Sequence, residues 1–369
     1  MLKIGVVVHG PHIIDTGYAL KIIKLLERYG KVKAVLGGTM GRTAVYDAHL
    51  ENIIDISKKR LPSESIDMLA KECDFVFLLD YGKSKITGHA FGYKVFKKLK
   101  TNPKLIQIER PGEKDGTIIV WNKKAENFAK KIAKKLKLKL VKKEDVEKEI
   151  KGKIIYEKNG KKYRRVLGVS KGENIFVNGI VVGKAKSDEV TLVAKNGIII
   201  DIIGGKLKKH GVEKLGKVDL EKAIIKTGLL RRSEVKARKV IKRKSKKEFN
   251  VGFLDHAAED VYQLKNCDVV VTIGDDTTLV ASDILYRFDV PVIGITDGDV
   301  DKVVKKGFKN PGSMIIEVEK GWDDKIGKII LSKIFKNKKY IKIKNINKLK
   351  RKIQEIINKM NIKYNIKEF

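Results

Sequence analysis

Cysteine is almost absent from this chain: Cys73 and Cys267 are its only two. That excludes a disulfide framework and a cysteine-rich zinc site. Each stands just ahead of an apolar run, where the expected role is that of a small buried side chain. Long hydrophobic runs are absent as well. Stretches such as Val6-Val7-Val8 and Ile198-Ile199-Ile200 fall far short of the ~20 residues that cross a bilayer, so no membrane partner is expected. The opening, Leu2 to Val8, has the pattern of a strand and not that of a basic region followed by an apolar core. A cytoplasmic location without a secretory leader is therefore expected. Histidine is scarce, with six in 369 residues.

Acidic residues are outnumbered. Forty-five Asp and Glu stand against 81 Lys and Arg, a formal charge of +36. An excess of this size suits polyanionic partners. It is also concentrated: Lys333–Phe369 holds 13 basic residues and two acidic ones, and Lys236–Lys247 holds eight basic residues in 12. Tyr340 and Tyr364 apart, the basic clusters lack interleaved aromatic rings on which bases could stack. Contact with nucleic acid is therefore expected to be non-specific.

The apolar pattern divides the chain. Residues 1–143 alternate strands (Leu2–Val8, Lys33–Leu36, Asp74–Leu79, Leu105–Ile108) with helices (Thr16–Tyr29, Ser63–Lys71, Phe91–Leu99, Ala125–Leu136). Strands that are apolar throughout predict a parallel sheet covered on both faces. Residues 151–212 change character. Asn159-Gly160, Asn178-Gly179 and Asn196-Gly197 separate β-branched runs, a strong hairpin signal that predicts a small antiparallel β unit. Residues 213–336 begin with an expected helix over Asp219–Lys239. Strands at Phe249–Leu254, Asp268–Ile273, Val290–Thr296 and Ser313–Val318 then alternate with helices at Thr277–Phe288, Val300–Lys306 and Asp323–Phe335. Residues 337–369 form a basic low-complexity tail, either an amphipathic helix around Ile346–Met360 or a loose arm. The expected fold is α/β: two Rossmann-like parallel-sheet domains, the first Rossmann- or flavodoxin-like, with a small antiparallel β unit between them.

The two sheet regions also share local sequence. Lys71-Glu72-Cys73-Asp74-Phe75-Val76 parallels Lys265-Asn266-Cys267-Asp268-Val269-Val270, and Ile4-Gly5-Val6-Val7-Val8-His9 parallels Val251-Gly252-Phe253-Leu254-Asp255-His256. Two readings stand side by side, an internal duplication and the general likeness of any two parallel sheets.

Ligands of open parallel sheets bind beyond the carboxyl ends of the strands. Five strand ends carry candidate residues. In Ile273-Gly274-Asp275-Asp276-Thr277-Thr278, Gly274 permits close approach to the backbone, Thr277 and Thr278 open a helix whose N–H groups suit an anion, and Asp275 and Asp276 offer hard oxygens to magnesium. The next strand ends in Asp297-Gly298-Asp299, a second pair of ligands. Carboxylates on neighbouring strand ends, ~5 Å apart if paired, repel one another unless a cation lies between them. Near the N-terminus, Gly37-Gly38-Thr39-Met40-Gly41-Arg42 suits a phosphate cradle, joined by His9 and Asp80 at other strand ends. The plainer alternatives are helix caps and polar turns.

The loop Gly274–Thr278 resembles the Gly-Gly-Asp-Gly/Asp-Thr/Ser signature of the phosphofructokinase and NAD/diacylglycerol kinase superfamily, with Ile273 in place of the first glycine. Asp297-Gly298-Asp299 resembles the Asp-x-Asp element of Toprim-type metal sites. Over most of its length the chain resembles an uncharacterised archaeal family found in methanogens. That likeness is carried by Val8-His9-Gly10-Pro11, Asp15-Thr16-Gly17, Gly37–Thr43 and Gly274–Thr278, and it implies an archaeal cytoplasmic setting but no activity. The functional expectation is magnesium-dependent binding of a nucleotide or phosphorylated metabolite, with phosphoryl-transfer or phosphate-ester chemistry if the protein is an enzyme. The alternatives are a nucleic-acid-associated protein using the basic clusters, and a non-catalytic ligand-sensing or scaffold module.

Overall fold

The computed structural model describes residues 1–150, 154–234, 236–241, 247–256, 261–298 and 307–369. The helix expected over Val300–Lys306 lies outside the described residues. The chain divides into two compact units. The first comprises Met1–Glu173, Gly183–Ala223 and Arg231–Ser233; the second comprises Asn174–Val182, Ile224–Leu230 and Glu234–Phe369.

The first unit is built on β1 (Leu2–His9), β2 (Gly30–Gly37), β3 (Ile54–Asp55), β4 (Phe75–Asp80), β5 (Leu105–Glu109), β6 (Thr117–Val120) and β7 (Lys139–Lys142). Their order in the sheet is β3-β2-β1-β4-β5-β6-β7. Strand order thus reverses between β1 and β4, which pair in parallel with Val8 beside Leu79. The central strands are apolar on both sides because both sides are covered. Val6, Val8 and Phe77 pack with Ile22, Leu26, Phe128 and Ile132 of the helices Tyr18–Glu27 and Glu126–Leu136. Val7, Val35 and Leu78 pack with Ile66 and Leu69 of the helix Pro62–Leu69, and with Val146. The sheet is not wholly parallel. Residues 110–116 are too short to make a crossover, so β6 returns antiparallel to β5, with Thr117 opposite Glu109.

Antiparallel strands follow. β8 (Ile155–Lys158), β9 (Lys161–Val166), β12 (Val190–Lys195) and β13 (Ile198–Ile203) form one sheet of the first unit. β10 (Asn174–Val177), β11 (Ile180–Ala185), β14 (Gly205–Leu207) and β15 (Ile225–Thr227) are the remaining strands of this region. Each Asn-Gly pair makes its hairpin turn with both residues at positive φ: +50° and +65° at Asn159-Gly160, +49° and +88° at Asn178-Gly179, +52° and +80° at Asn196-Gly197. Only residues tolerant of the left-handed region complete such turns cheaply. The helix expected over Asp219–Lys239 is absent among the described residues. β15 pairs instead with β10, and Gly228 at φ +72° ends the strand.

The second unit is built on β16 (Phe249–Leu254), β17 (Val269–Ile273), β18 (Val292–Thr296), β19 (Met314–Val318), β20 (Tyr340–Ile343) and β21 (Tyr364–Glu368), in the order β20-β16-β17-β18-β19-β21. β16 to β19 are parallel, and β20 and β21 are antiparallel at the two edges. The basic segment after Lys336 is therefore built into the sheet and is not an appendage. Its helix Ile346–Lys359 buries Leu349, Ile353 and Ile357 in the same core as Val271, Ile293 and Ile316, leaving Lys348, Arg351, Lys352 and Lys359 exposed. The helical spacing of those three apolar residues is what makes a lysine-rich segment foldable.

The repeated sequence has a physical counterpart. Asp74 accepts from Lys3 N at 2.7 Å and donates its own N–H to Lys3 O at 2.8 Å. Asp268 does the same with Asn250, at 2.8 and 2.7 Å. A Cβ on Gly5 would stand 3.3 Å from the Cys73 sulfur, and one on Gly252 would stand 3.0 Å from that of Cys267. Each unit thus pins the start of its first parallel pair with the same Gly, Cys and Asp.

Candidate functional site

In the second unit, β17, β18 and β19 end side by side. The loop after each delivers one aspartate: Asp275, Asp297 and Asp323. One carboxylate oxygen from each lies within 4.8 Å of the others, and all three residues are half-buried. Gly274, at φ +91°, turns the chain out of β17 so that Asp275 opens the helix Asp275–Leu285. Asp323 opens the helix Asp323–Lys333.

Backbone amides hold these side chains. Asp275 Oδ2 accepts from the N–H of Asp297 at 3.0 Å and of Gly298 at 3.1 Å. Asp297 Oδ2 accepts from Gly321 N at 2.7 Å, and Asp323 Oδ1 from Asp324 N at 2.8 Å. Each loop is thereby tied to the next. Burial, then the charges of Asp297, Asp324 and Asp275, push the Asp323 carboxyl up from 3.8 to about 6. Burial, followed by the hydrogen bond and charge of Asp297, also raises Asp275. The charged forms of Asp275 and Asp323 are thus disfavoured in this cluster, the condition that a bound cation relieves. Three oxygen donors with no sulfur or nitrogen among them suit a hard divalent ion.

Of the aspartates expected at this site, Asp275 and Asp297 come together. Asp276 follows Asp275 on the helix, turned ~100° away from it, and is not one of the three. Asp299 lies outside the described residues. Asp323 was not expected. Its signal in the sequence is an aspartate pair, Asp323-Asp324, opening a helix after the next parallel strand. That is the arrangement already seen at Asp275-Asp276. Thr277 and Thr278 are buried, and Thr278 is used in packing: its Oγ1 lies 2.8 Å from Thr272 Oγ1, and its methyl group fills the space over Gly294.

In the first unit, His9 and Asp80 stand at the ends of the adjacent strands β1 and β4, with His9 Nδ1 2.8 Å from Asp80 Oδ1. Gly37 ends β2, Gly38 has φ +88°, and Gly41 packs against the backbone of Gly10. The loop through Thr39 therefore borders the end of β1. Arg42 is 5% exposed and opens the short helix Arg42–Asp47.

The sequence is 50% identical over 367 residues to a protein of Methanocaldococcus jannaschii described as "Uncharacterized protein MJ0065", covering 98% of this chain and 99% of that one. No solved structure matches it. Residues 6–338 match the family model described as an uncharacterised protein conserved in archaea (DUF2117), which spans both units and stops short of the edge strands β20 and β21. With that match and a half-identical full-length relative from a methanogen, the chain belongs to the archaeal DUF2117 family.

Proposed function

We propose that the second unit binds magnesium at Asp275, Asp297 and Asp323 and, through it, a nucleotide or phosphorylated metabolite. The observation that carries this reading is the convergence of three carboxylate oxygens within 4.8 Å from three successive strand ends. Magnesium held by a few carboxylates keeps open positions for water and phosphate oxygens. Gly274 and the first N–H groups of the helix Asp275–Leu285 would serve an anion held by that ion. Asp276 is the described candidate for completing the shell through water. If a reaction follows, phosphoryl transfer or phosphate-ester cleavage fits best, because there the cation supplies charge neutralisation and positioning. In the first unit, the reversal of strand order between β1 and β4 supports the Rossmann-like reading, in which ligands occupy that crevice.

A thermal-shift screen tests the magnesium site. Nucleotides and sugar phosphates are expected to raise the melting temperature only with millimolar Mg²⁺ present, and Asp275→Asn or Asp297→Asn should remove the response. A flat panel with and without Mg²⁺ rejects the reading. Tight binding without turnover would assign the protein to sensing instead of catalysis.

A second reading rests on the outer face of the helix Ile346–Lys359, where Lys348, Arg351, Lys352 and Lys359 are exposed. These residues favour sequence-independent contact with polyanions. Retention on heparin should fall steeply with salt, and competing DNAs of different sequence should displace the protein equally. A strong sequence preference would overturn this.

A further inference from the structure

Beyond the aspartate cluster, the first unit contains a polar chain that ends at its strand-order reversal. It begins in the core. Trp121 Nε1 donates to Gln107 Oε1 at 3.1 Å, and Gln107 Nε2 donates to Glu109 Oε2 at 3.1 Å. Glu109 Oε1 accepts from Gly82 N at 2.7 Å. Gln107 and Glu109 are fully buried. Burial, then the charge of Asp80, raises the Glu109 carboxyl well above the usual range, and its side chain is hydrogen-bonded to that of Asp80. Asp80 in turn faces His9 Nδ1 at 2.8 Å, and the His9 ring is stacked on Phe91 with centroids 4.0 Å apart. The imidazole is fixed in plane and in azimuth. With Nδ1–H donated to Asp80, Nε2 is left as the acceptor of a side chain that is 32% exposed.

A three-residue strap lies along the same rim. Arg231 is anchored on Asp15, at 2.5 and 2.9 Å, and on Asp47 at 2.7 Å. Ser233 Oγ lies 3.1 Å from His12 Nδ1. Between them, Arg232 donates one hydrogen bond, to the carbonyl of Tyr81 at 3.3 Å. Its guanidinium is partly desolvated and senses the charges of Arg110, Asp80 and Glu173, yet no ion pair to it is found among the described residues. A desolvated guanidinium with unused donors is a receptor for a planar oxyanion.

We infer that the ends of β1 and β4 form a second ligand site, in which Arg232 receives the oxyanion of a small metabolite and His9 Nε2 exchanges a proton with it. In that exchange an X–H bond of the ligand breaks, its electron pair stays on the ligand, and the proton bonds to Nε2. The positive charge formed on the ring is held by Asp80, with Glu109 behind it. The design is that of an oriented base whose carboxylate fixes tautomer and direction. It depends on no residue of the aspartate cluster, so either site can fail without the other.

Histidine-labelled full-length protein, followed by nitrogen NMR during titration with inorganic phosphate or acetate, provides the test; His9→Gln identifies the resonance. His9 should rest as the Nδ1–H tautomer. Its Nε2 signal should move saturably with at least one of the two anions, while the exposed His49 and His210 stay still. Arg232→Gln should weaken the response at least about tenfold, with Arg232→Lys intermediate. An Nε2–H tautomer, no movement of His9, equal movement of His49 and His210, or an unchanged response in folded Arg232→Gln each overturns the inference.

Discussion

Asp323→Asn is expected to stabilise the metal-free protein and to abolish its stabilisation by Mg²⁺, two changes of opposite sense from one substitution. In the absence of a cation, burial and its carboxylate neighbours lift Asp323 from 3.8 to about 6. Between those values the folded protein holds a proton that the unfolded chain releases. The favourable contribution is therefore complete below about pH 4 and is lost as pH rises through 6. At neutral pH the shift corresponds to at most about 3 kcal/mol, reduced to roughly 1–2 kcal/mol because the side chain is only half-buried. Asp275 is displaced in the same direction. Asparagine keeps the oxygen that accepts from Asp324 N but carries no charge. The metal-free variant should melt a few degrees higher than the parent at pH 7, and its melting temperature should be flatter between pH 4 and 6. Millimolar Mg²⁺ should raise the melting temperature of the parent and not that of the variant. A merely structural aspartate would instead give a loss of stability in both conditions, and that result removes Asp323 from the metal site.

Gly88→Ala and Gly92→Ala are expected to be among the most damaging single substitutions in the first unit. Both glycines lie inside the helix Lys85–Lys97. At an exposed helix position the change to alanine ordinarily adds about 1 kcal/mol of stability. Here the sign reverses. A Cβ on Gly88 would stand 1.9 Å from Glu109 Cδ, and one on Gly92 would stand 1.7 Å from Gln107 Oε1. The helix can lie on two large buried polar side chains only where it has no side chain of its own. Neither Glu109 nor Gln107 can retreat without breaking bonds to Gly82 or Trp121. A loss of about 3 kcal/mol or more is expected for each, from overpacking together with broken buried hydrogen bonds. Chemical denaturation of each variant checks the size. A double-mutant cycle checks the cause, since Glu109→Ala should relieve much of the Gly88→Ala penalty. Additive losses would place the damage elsewhere.

Legibility in the sequence was uneven, for identifiable reasons. Strands covered on both faces, such as Val269–Ile273, announce themselves by unbroken apolar runs. The three Asn-Gly turns were readable because few residue pairs accept two positive φ angles. β6 and β7 are four residues each and were not anticipated, and with them went the antiparallel return after Glu109. The helix expected over Asp219–Lys239 lost to strand pairing at Ile225–Thr227, a long-range contact that local composition does not encode. At the site, Asp275 and Asp297 could be paired because each follows an evident strand directly. Asp323 stands five residues beyond the end of β19, and a helix-capping role hid it. The polar chain from Trp121 to His9 was invisible, because alternate residues of β5 carry it and nothing local marks Gln107 as the partner of Trp121.

The path of the chain constrains how the molecule can be made or dissected. It leaves the first unit after Glu173, returns at Gly183, departs again after Ala223, and comes back for Arg231–Ser233 before its final exit. No single scission yields two whole units. A fragment cut near residue 174 would strip the first unit of β12 and β13 and leave strand edges bare, an aggregation hazard. Early-synthesised residues 174–182 must wait for partners far downstream, a high-contact-order arrangement that favours slow folding.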